Sequence, residues 1–489
     1  MLAAMSLPPT TIPPADEAPS PRARGRDDAC PGALRLHPAD DGSLARVRIP
    51  GGLLTAGQAR ALAGASEELG DGRLDLTSRG NLQVRGLDAA CGGELAAALR
   101  AVGLLPSDRF DRVRNIVASP LGGLDGAGCG DVTAWARELD VALCSGTREE
   151  LSGLSGRFLF AMDDGRGDVA ALGADVTLIA TRNGGAVLRV GSGAPGPESG
   201  PGADLEVRGR DAPRAAALAA VEFLARAGAS GTRAWRVREL PAQHAVTADG
   251  LAARLADEGV EAVRIGRSGP VGEPGAPPAP GVVSGPDGSH AVSVLVPLGR
   301  AGAAQWRLLA GLASRGGSGE LRVTPWRGVV LPGFTADGAA DAAREAADAG
   351  LVTDPGSPWV GVGACTGRPG CAKSLADVRA HAARAVADAP RSPDTPQGSP
   401  DTPPVYFSGC ERRCGHPGGR WVDALATSGT DYRLTVRDTR EPDGATDGGT
   451  TGGGTTGGGV TGGGVTGGGV TDVAAEQLAD AVATARGTA

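Results

Sequence analysis

Residues 42–87 and 289–334 are two copies of one pattern, and a chain that repeats itself in this way is built from two copies of one structural unit. Pro50 aligns with Pro297, Gln58 with Gln305, Arg60 with Arg307, Leu62 with Leu309, Gly72 with Gly319, Leu74 with Leu321 and Thr77 with Thr324, all at one offset of 247 positions. After the threonine one residue is inserted, so Arg79 meets Arg327. Seven ungapped matches over about thirty positions mark a duplication. Each copy opens on alternating apolar residues (Leu44, Val47, Ile49; Val292, Val294, Val296) that end at a proline. Apolar residues at helical spacing follow, such as Ala59, Leu62 and Ala63, and then a Gly-rich turn and a second strand ending in Thr-x-Arg or Thr-x-x-Arg. This grammar predicts a β-α-β half-module, and two halves of this kind can pair into one antiparallel sheet with helices on one face.

Each copy precedes an α/β segment. The first, over about 104–245, carries strand candidates Val176–Ala180 and Gly185–Val190 and a helix at Arg214–Ala227. The second runs from about 350 and ends in a helix expected over Val473–Arg486. The organisation expected is a disordered tail (1–28), a half-module (29–103), an α/β domain (104–245), a linker region (246–284) whose Pro/Gly-rich part is Ser268–Val283, a second half-module (285–349) and a last α/β domain (350–489). Two insertions in the last domain, 389–404 and the Gly/Thr/Val array at 448–471, cannot bury a core.

The last domain also holds half of the eight cysteines, as Cys365-Thr-Gly-Arg-Pro-Gly-Cys371 and Cys410-Glu-Arg-Arg-Cys414. Four thiolates in two tight Gly/Pro-rich loops suit a metal or an iron–sulfur cluster, because each short loop turns two sulfurs toward one centre. The spacings are wrong for the C-x2-C pairs of structural zinc sites. Two disulfides or unrelated thiols is the other reading. Cys30, Cys91, Cys129 and Cys144 have no paired spacing. With no signal peptide and no long apolar run, the chain reads as cytoplasmic, with reduced thiols and no membrane partner. A net charge of −8 excludes electrostatic nucleic-acid binding. Of 48 basic residues Lys373 is the sole lysine, standing two residues after Cys371 as either a chemical group or a chance survivor on a solvated turn.

The duplication, the Thr-x-Arg strand end and the C-x5-C and C-x3-C couples together resemble the sirohaem-dependent nitrite and sulfite reductase family, over about 30–440. The resemblance implies an α+β and α/β fold: duplicated ferredoxin-like half-modules forming one sheet domain, plus two α/β domains. It implies a [4Fe–4S] cluster on Cys365, Cys371, Cys410 and Cys414, with Cys414 in the position that bridges to sirohaem iron. Leu76-Thr77-Ser78-Arg79-Gly80-Asn81-Leu82-Gln83 is similar to the family's macrocycle-binding strand, and Val113-Arg114-Asn115-Ile116 to its second arginine motif. The family's anion site uses two arginines, matched by Arg79 and Arg114, and two lysines. Arg157 stands for the first lysine, but Leu159 stands where the second belongs and offers neither charge nor hydrogen bond.

That departure fits one branch of the family, the precorrin-3B synthases. Ala29-Cys30-Pro31-Gly32-Ala33, Gly72–Gln83 and Phe158-Leu159-Phe160-Ala161-Met162-Asp163-Asp164-Gly165 all resemble that branch. The implied reaction is O2-dependent hydroxylation of precorrin-3A at C20 with γ-lactone closure, in aerobic cobalamin biosynthesis. It brings an electron donor (NADH, a reductase or a ferredoxin) and a mononuclear non-haem iron beside the cluster. Arginine forks are natural partners for the substrate's many carboxylates, and Arg79, Arg85, Arg112, Arg114, Arg157 and Arg327 are the candidates. No facial triad is evident; among five histidines His416 is the best placed, as an iron neighbour or as a loop histidine capping its turn. The competing readings are a nitrite or sulfite reductase with bound sirohaem and, behind it, a non-catalytic iron–sulfur or tetrapyrrole-binding protein.

Overall fold

The two repeats complete one another by exchanging strands. In the computed structural model, which describes residues 28, 30–191, 203–266, 275–389, 402–438, 464–465 and 471–487, the first repeat runs from strand Gly42–Val47 through a turn at Pro50–Gly52 to a short strand Leu53–Thr55. Helix Ala56–Leu69 and the hairpin Arg73–Leu76/Leu82–Leu87 follow. The second repeat has the same order: His290–Leu295, Pro297–Gly299, Arg300–Gly302, helix Ala303–Arg315, and hairpin Glu320–Val323/Gly328–Phe334. Each unit then adds a helix, Gly92–Ala101 or Ala336–Asp348. The short strands cross over: Leu53–Thr55 pairs with Glu320–Arg322, and Arg300–Gly302 with Arg73–Asp75.

The result is two five-stranded sheets, where the repeat grammar predicted one sheet from β-α-β halves. The exchange depends on a close backbone crossing. Gly52 has φ 73°, and a Cβ there would sit 2.1 Å from the Val323 carbonyl oxygen, so only glycine fits. Both units share one core that includes Leu62, Leu74, Trp306, Leu309 and Leu321, so the two sheets form a single layer-packed body. The aligned residues do matched work. Gln58 Nε2 donates to Val102 O (3.0 Å) and Gln305 Nε2 to Ala349 O (2.9 Å), each tying its long helix to the segment after the next helix. Arg60 reaches across to Ala310 O and Ser314 Oγ, and Arg307 reaches back to Glu67.

The α/β units also share an order. In the first, Ile116–Ala118, Phe160–Asp163 and Val176–Ala180 run parallel, and Gly185–Val190, Ala203–Arg208 and Ala262–Arg264 continue antiparallel. In the second, Val362–Ala364, Val405–Ser408 and Arg420–Ala426 run parallel, and Asp431–Asp438 and Thr471–Ala474 continue antiparallel. The expected strands at 176–180 and 185–190 are present, and the helix expected at 214–227 extends over Ala212–Ser230, ending at Gly231 with φ 64°. Two expectations need correction. Thr471–Ala474 is a strand, because it covers the edge of Asp431–Asp438, and the terminal helix is only Leu478–Arg486. The expected linker region 246–284 holds the helix Ala248–Asp257 and the strand Ala262–Arg264 of the first α/β unit, and its end, Gly281–Ser284, is a strand on His290–Ser293. The expected tail up to 27, the 390–401 part of one insertion and most of the Gly/Thr/Val array lie outside the described residues. No helix among the described residues is long and apolar enough to cross a membrane.

Candidate active site and cysteine loops

The turn between Arg73–Leu76 and Leu82–Leu87 presents Arg79. Thr77 Oγ1 accepts from Asn81 N (3.1 Å) and Arg79 N (3.4 Å), and Gly80 takes φ 64°. Asn81 Nδ2 donates to Asn115 Oδ1 (3.2 Å), and Asn115 Nδ2 donates to Gly156 O (2.7 Å). Arg79 Nη1 meets the same carbonyl at 3.4 Å. The two asparagines therefore fasten the Arg79 turn of the first repeat to the residue before Arg157, at the start of the first α/β unit. The Arg157 guanidinium lies over the Trp235 ring, 5.0 Å from its centroid. Among the described residues neither Arg79 nor Arg157 has a carboxylate ion pair.

Four more arginines, none anticipated from sequence, gather here. Arg48 is 1% exposed; it donates to Arg112 O and Pro31 O, and its Nη1 has no partner. Burial, and then the neighbouring Arg46, push its guanidinium down to about 9. Burial, then Arg236 and Arg46, push Arg79 down to about 10. Arg236 Nε sits 2.6 Å from Asp175 Oδ2, and Arg238 is lowered by burial and then by Arg236. For Arg46 and Arg48 a signal was present, a period-two pair at the end of a strand; Arg236 and Arg238 open a 3-10 turn at Val237–Glu239, which no such spacing marks. An excess of desolvated guanidiniums is unfavourable by itself and is relieved by an anion with several carboxylates.

Arg114 needs correction as a substrate contact. It is 3% exposed, and its fork is engaged by Asp140, Nε to Oδ1 at 2.6 Å and Nη2 to Oδ2 at 2.7 Å, while Nη1 donates to Leu104 O at 3.0 Å. All three guanidinium nitrogens are engaged within the protein. Arg85 is likewise engaged, by Asp41 (2.9 and 2.8 Å) and Gly370 O (2.8 Å). Arg112 reaches the Asp28 carbonyl (3.1 Å). Leu159 is 3% exposed and packs with Val117, Ala161, Val169 and Ala174, so its position is part of an apolar cluster as well as uncharged.

The cysteine loops leave the carboxyl ends of adjacent parallel strands, where α/β sheets hold their ligands. Cys365 follows Val362–Ala364, and Gly409-Cys410 follows Val405–Ser408. All four cysteines are free. Burial raises the Cys365 and Cys414 thiols, and cysteines of the opposite couple raise them further. Gly409 N donates to Cys365 Sγ (3.3 Å), linking one couple's loop to the other's sulfur. A Cβ on Gly409 would lie 1.9 Å from Ser374 Oγ. The sole tight group of candidate metal ligands among the described residues is Asp163, Asp164 and Asp168; the thiols do not close to that span. A single tetrahedral zinc holds its sulfurs about 3.8 Å apart, from Zn–S bonds of about 2.3 Å; a cubane cluster spaces them more widely. Four thiols on two short loops are a donor set that suits a cluster. Lys373 is exposed on this loop.

The histidine and carboxylate inventory offers little to a second iron. His416 stacks on Trp421 (centroids 5.1 Å apart, 12° between planes) with Nδ1 at 2.8 Å from Pro417 O, which is the loop-histidine reading. Asp163 accepts from the backbone of Gly165, Gly167 and Ala170, and Asp164 pairs with Arg166. Asp168 accepts from Ser119 Oγ and Val169 N, and burial followed by Asp163 pushes it up to about 6. These carboxylates anchor loops.

Comparison with known proteins places this arrangement. Residues 37–102 and 284–349 each match the nitrite/sulfite reductase ferredoxin-like half domain. The Mycobacterium tuberculosis NirA protein superposes with a TM-score of 0.63 at 20% identity, covering 90% of this chain and 79% of that one. The fold is thus that of the nitrite and sulfite reductases, with both half domains present. Along most of its length the chain is similar to a precorrin-3B synthase from Sinorhizobium sp, 27% identical over 393 residues, which are 80% of this chain and 79% of that protein. A ferredoxin–nitrite reductase from Synechococcus elongatus is 38% identical, but over 127 residues, a quarter of either chain. Relatives of both kinds are oxidoreductase-type enzymes, the class expected from the sequence.

Proposed function

We propose that this protein is an oxidoreductase of the precorrin-3B synthase kind, acting on a tetrapyrrole bound between the first repeat and the first α/β unit. The observation that carries the reading is the excess of desolvated arginines around Arg79 and Arg157, with Leu159 packed into an apolar cluster at the remaining cationic position. A small anion such as sulfite satisfies one or two guanidiniums, whereas a precorrin brings many carboxylates around an apolar disc. Arg79 and Arg157 would grip peripheral carboxylates and fix the face of the ring; Asn81 and Asn115 hold those two arginines in register. A [4Fe–4S] cluster on Cys365, Cys371, Cys410 and Cys414 would supply single electrons. The reaction is precorrin-3A plus O2, two electrons and two protons giving the C20-hydroxylated product and water, with an acetate side chain closing the γ-lactone. The electrons come from NADH, a reductase or a ferredoxin.

The test is incubation of the purified holoprotein with precorrin-3A, a reductant and 18O-labelled O2. The expected product gains one labelled oxygen atom. The competing reading, a sirohaem-dependent nitrite or sulfite reductase, is favoured by the local match to ferredoxin–nitrite reductase. Sharp red absorption bands of sirohaem in the purified protein, together with sulfide production from sulfite, would establish that reading and remove the first.

A further inference from the structure

The duplication gives Arg79 a counterpart, Arg327, and the two have taken different partners. Arg327 sits in the turn between Glu320–Val323 and Gly328–Phe334, with φ 62°, a left-handed conformation that an arginine adopts at a cost. Its guanidinium turns to the cysteine loops of the last unit. Nη1 approaches Ala364 O (3.4 Å), the carbonyl just before Cys365, and Nη2 approaches Gly415 O (3.3 Å), the carbonyl just after Cys414. Nη2 also meets Tyr406 Oη (3.2 Å), and Arg327 Cζ lies 5.3 Å from that ring's centroid. Tyr406 is 2% exposed, and its hydroxyl donates to Cys414 O at 2.6 Å.

Glycines line the path of both side chains. A Cβ on Gly299 would lie 2.6 Å from Arg327 Cδ, and one on Gly363 would lie 2.9 Å from the Tyr406 ring. Gly415 combines φ 85° with a Cβ position 3.0 Å from Tyr406 Oη. Three glycines from three segments thus make a slot for one arginine and one tyrosine. Among the described residues Arg327 has no carboxylate partner: its donors go to two carbonyls and a phenol, so its positive charge faces the loops that carry Cys365 and Cys414.

We propose that Arg327 and Tyr406 are a positioning pair that spans the two cysteine couples and sets the reduction potential of the cluster they hold. The proposal rests on the ligand assignment made above. The mechanism has two parts. Arg327 binds a carbonyl beside Cys365 and one beside Cys414, so the span between couples follows the guanidinium's fixed geometry. Its charge also stabilises the reduced cluster, which carries one more electron than the oxidised form, and so raises the potential.

The test uses the cluster-loaded protein, with iron and sulfide content, a redox titration followed by electron paramagnetic resonance, and the rate of iron loss to a chelator. Arg327→Gln is expected to shift the oxidised-to-reduced ratio at fixed potential about tenfold toward oxidised, equivalent to about 59 mV for a one-electron couple. Arg327→Lys keeps charge without the fork and is expected to recover the potential but still lose iron faster than wild type. Tyr406→Phe, which keeps the ring and removes only the bond to Cys414 O, is expected to speed iron loss with a smaller change in potential, and it keeps the question answerable if Arg327→Gln does not fold. Wild-type potential and wild-type chelator resistance in Arg327→Lys and Tyr406→Phe would overturn the pair while leaving the cluster assignment standing. A wild-type protein that holds no iron and sulfide would overturn both.

Discussion

Arg79 and Arg114 each resemble an arginine motif of one family, yet the structure predicts opposite consequences for their removal. Arg114 is buried in a two-bond pair with Asp140, whose side chain is 19% exposed. Breaking a fully buried pair from one side costs about 3–5 kcal/mol; the partial exposure of Asp140 lowers this to about 2–4 kcal/mol for Arg114→Ala. Arg79 is the reverse case. Its guanidinium is pushed down to about 10 by burial and by Arg236 and Arg46, so the folded protein holds that charge against its preference. At about 1.4 kcal/mol per unit, and discounted for its partial exposure, Arg79→Ala should stabilise the empty protein by about 1–2 kcal/mol. The same change should weaken tetrapyrrole binding by about 2–5 kcal/mol, because a carboxylate loses its bidentate partner. Arg79→Lys should recover only part of that, having charge without the fork. Thermal unfolding of each variant, paired with anaerobic titration of precorrin-3A followed by Trp fluorescence, separates the two effects. If Arg114→Ala unfolds like wild type but loses binding, the structural role given to Arg114 is wrong; if Arg79→Ala binds normally, the macrocycle lies elsewhere.

Cys371→Ser should abolish the broad visible absorbance and lower iron and sulfide content; retention of both would refute the ligand set. Asp168 tests the buried acidic loop: its folded pKa of about 6 lies above the ordinary carboxylate value of 3.8, so the neutral form is the one the fold favours. Its contribution is therefore fully present below about pH 4 and lost as pH rises through about 6. Asp168→Asn keeps an oxygen to accept from Ser119 and Val169 N, and should raise the unfolding midpoint at pH 7.5 while changing little at pH 4; an equal effect at both pH values would refute the shift.

Much was legible in the linear chain because it depends on spacing alone. The repeat offset gave the duplication, and strand candidates such as Val176–Ala180 match the observed strand to the residue. The paired cysteine spacing singled out two loops that the fold places at the ends of adjacent parallel strands. Tertiary structure decided what those elements do to each other. No local pattern in Leu53–Thr55 or Arg300–Gly302 says that each three-residue strand belongs to the other repeat's sheet; that follows from Gly52 letting two backbones cross. Motif matching treats Arg79, Arg114 and Arg327 alike, because each is an arginine at a strand end or turn. Only the fold brings Asp140 to Arg114, and two loop carbonyls and Tyr406 to Arg327, while among the described residues Arg79 meets a backbone carbonyl and no carboxylate ion pair. A guanidinium's role is set by the groups that meet it across long sequence separations, and those are fixed by packing.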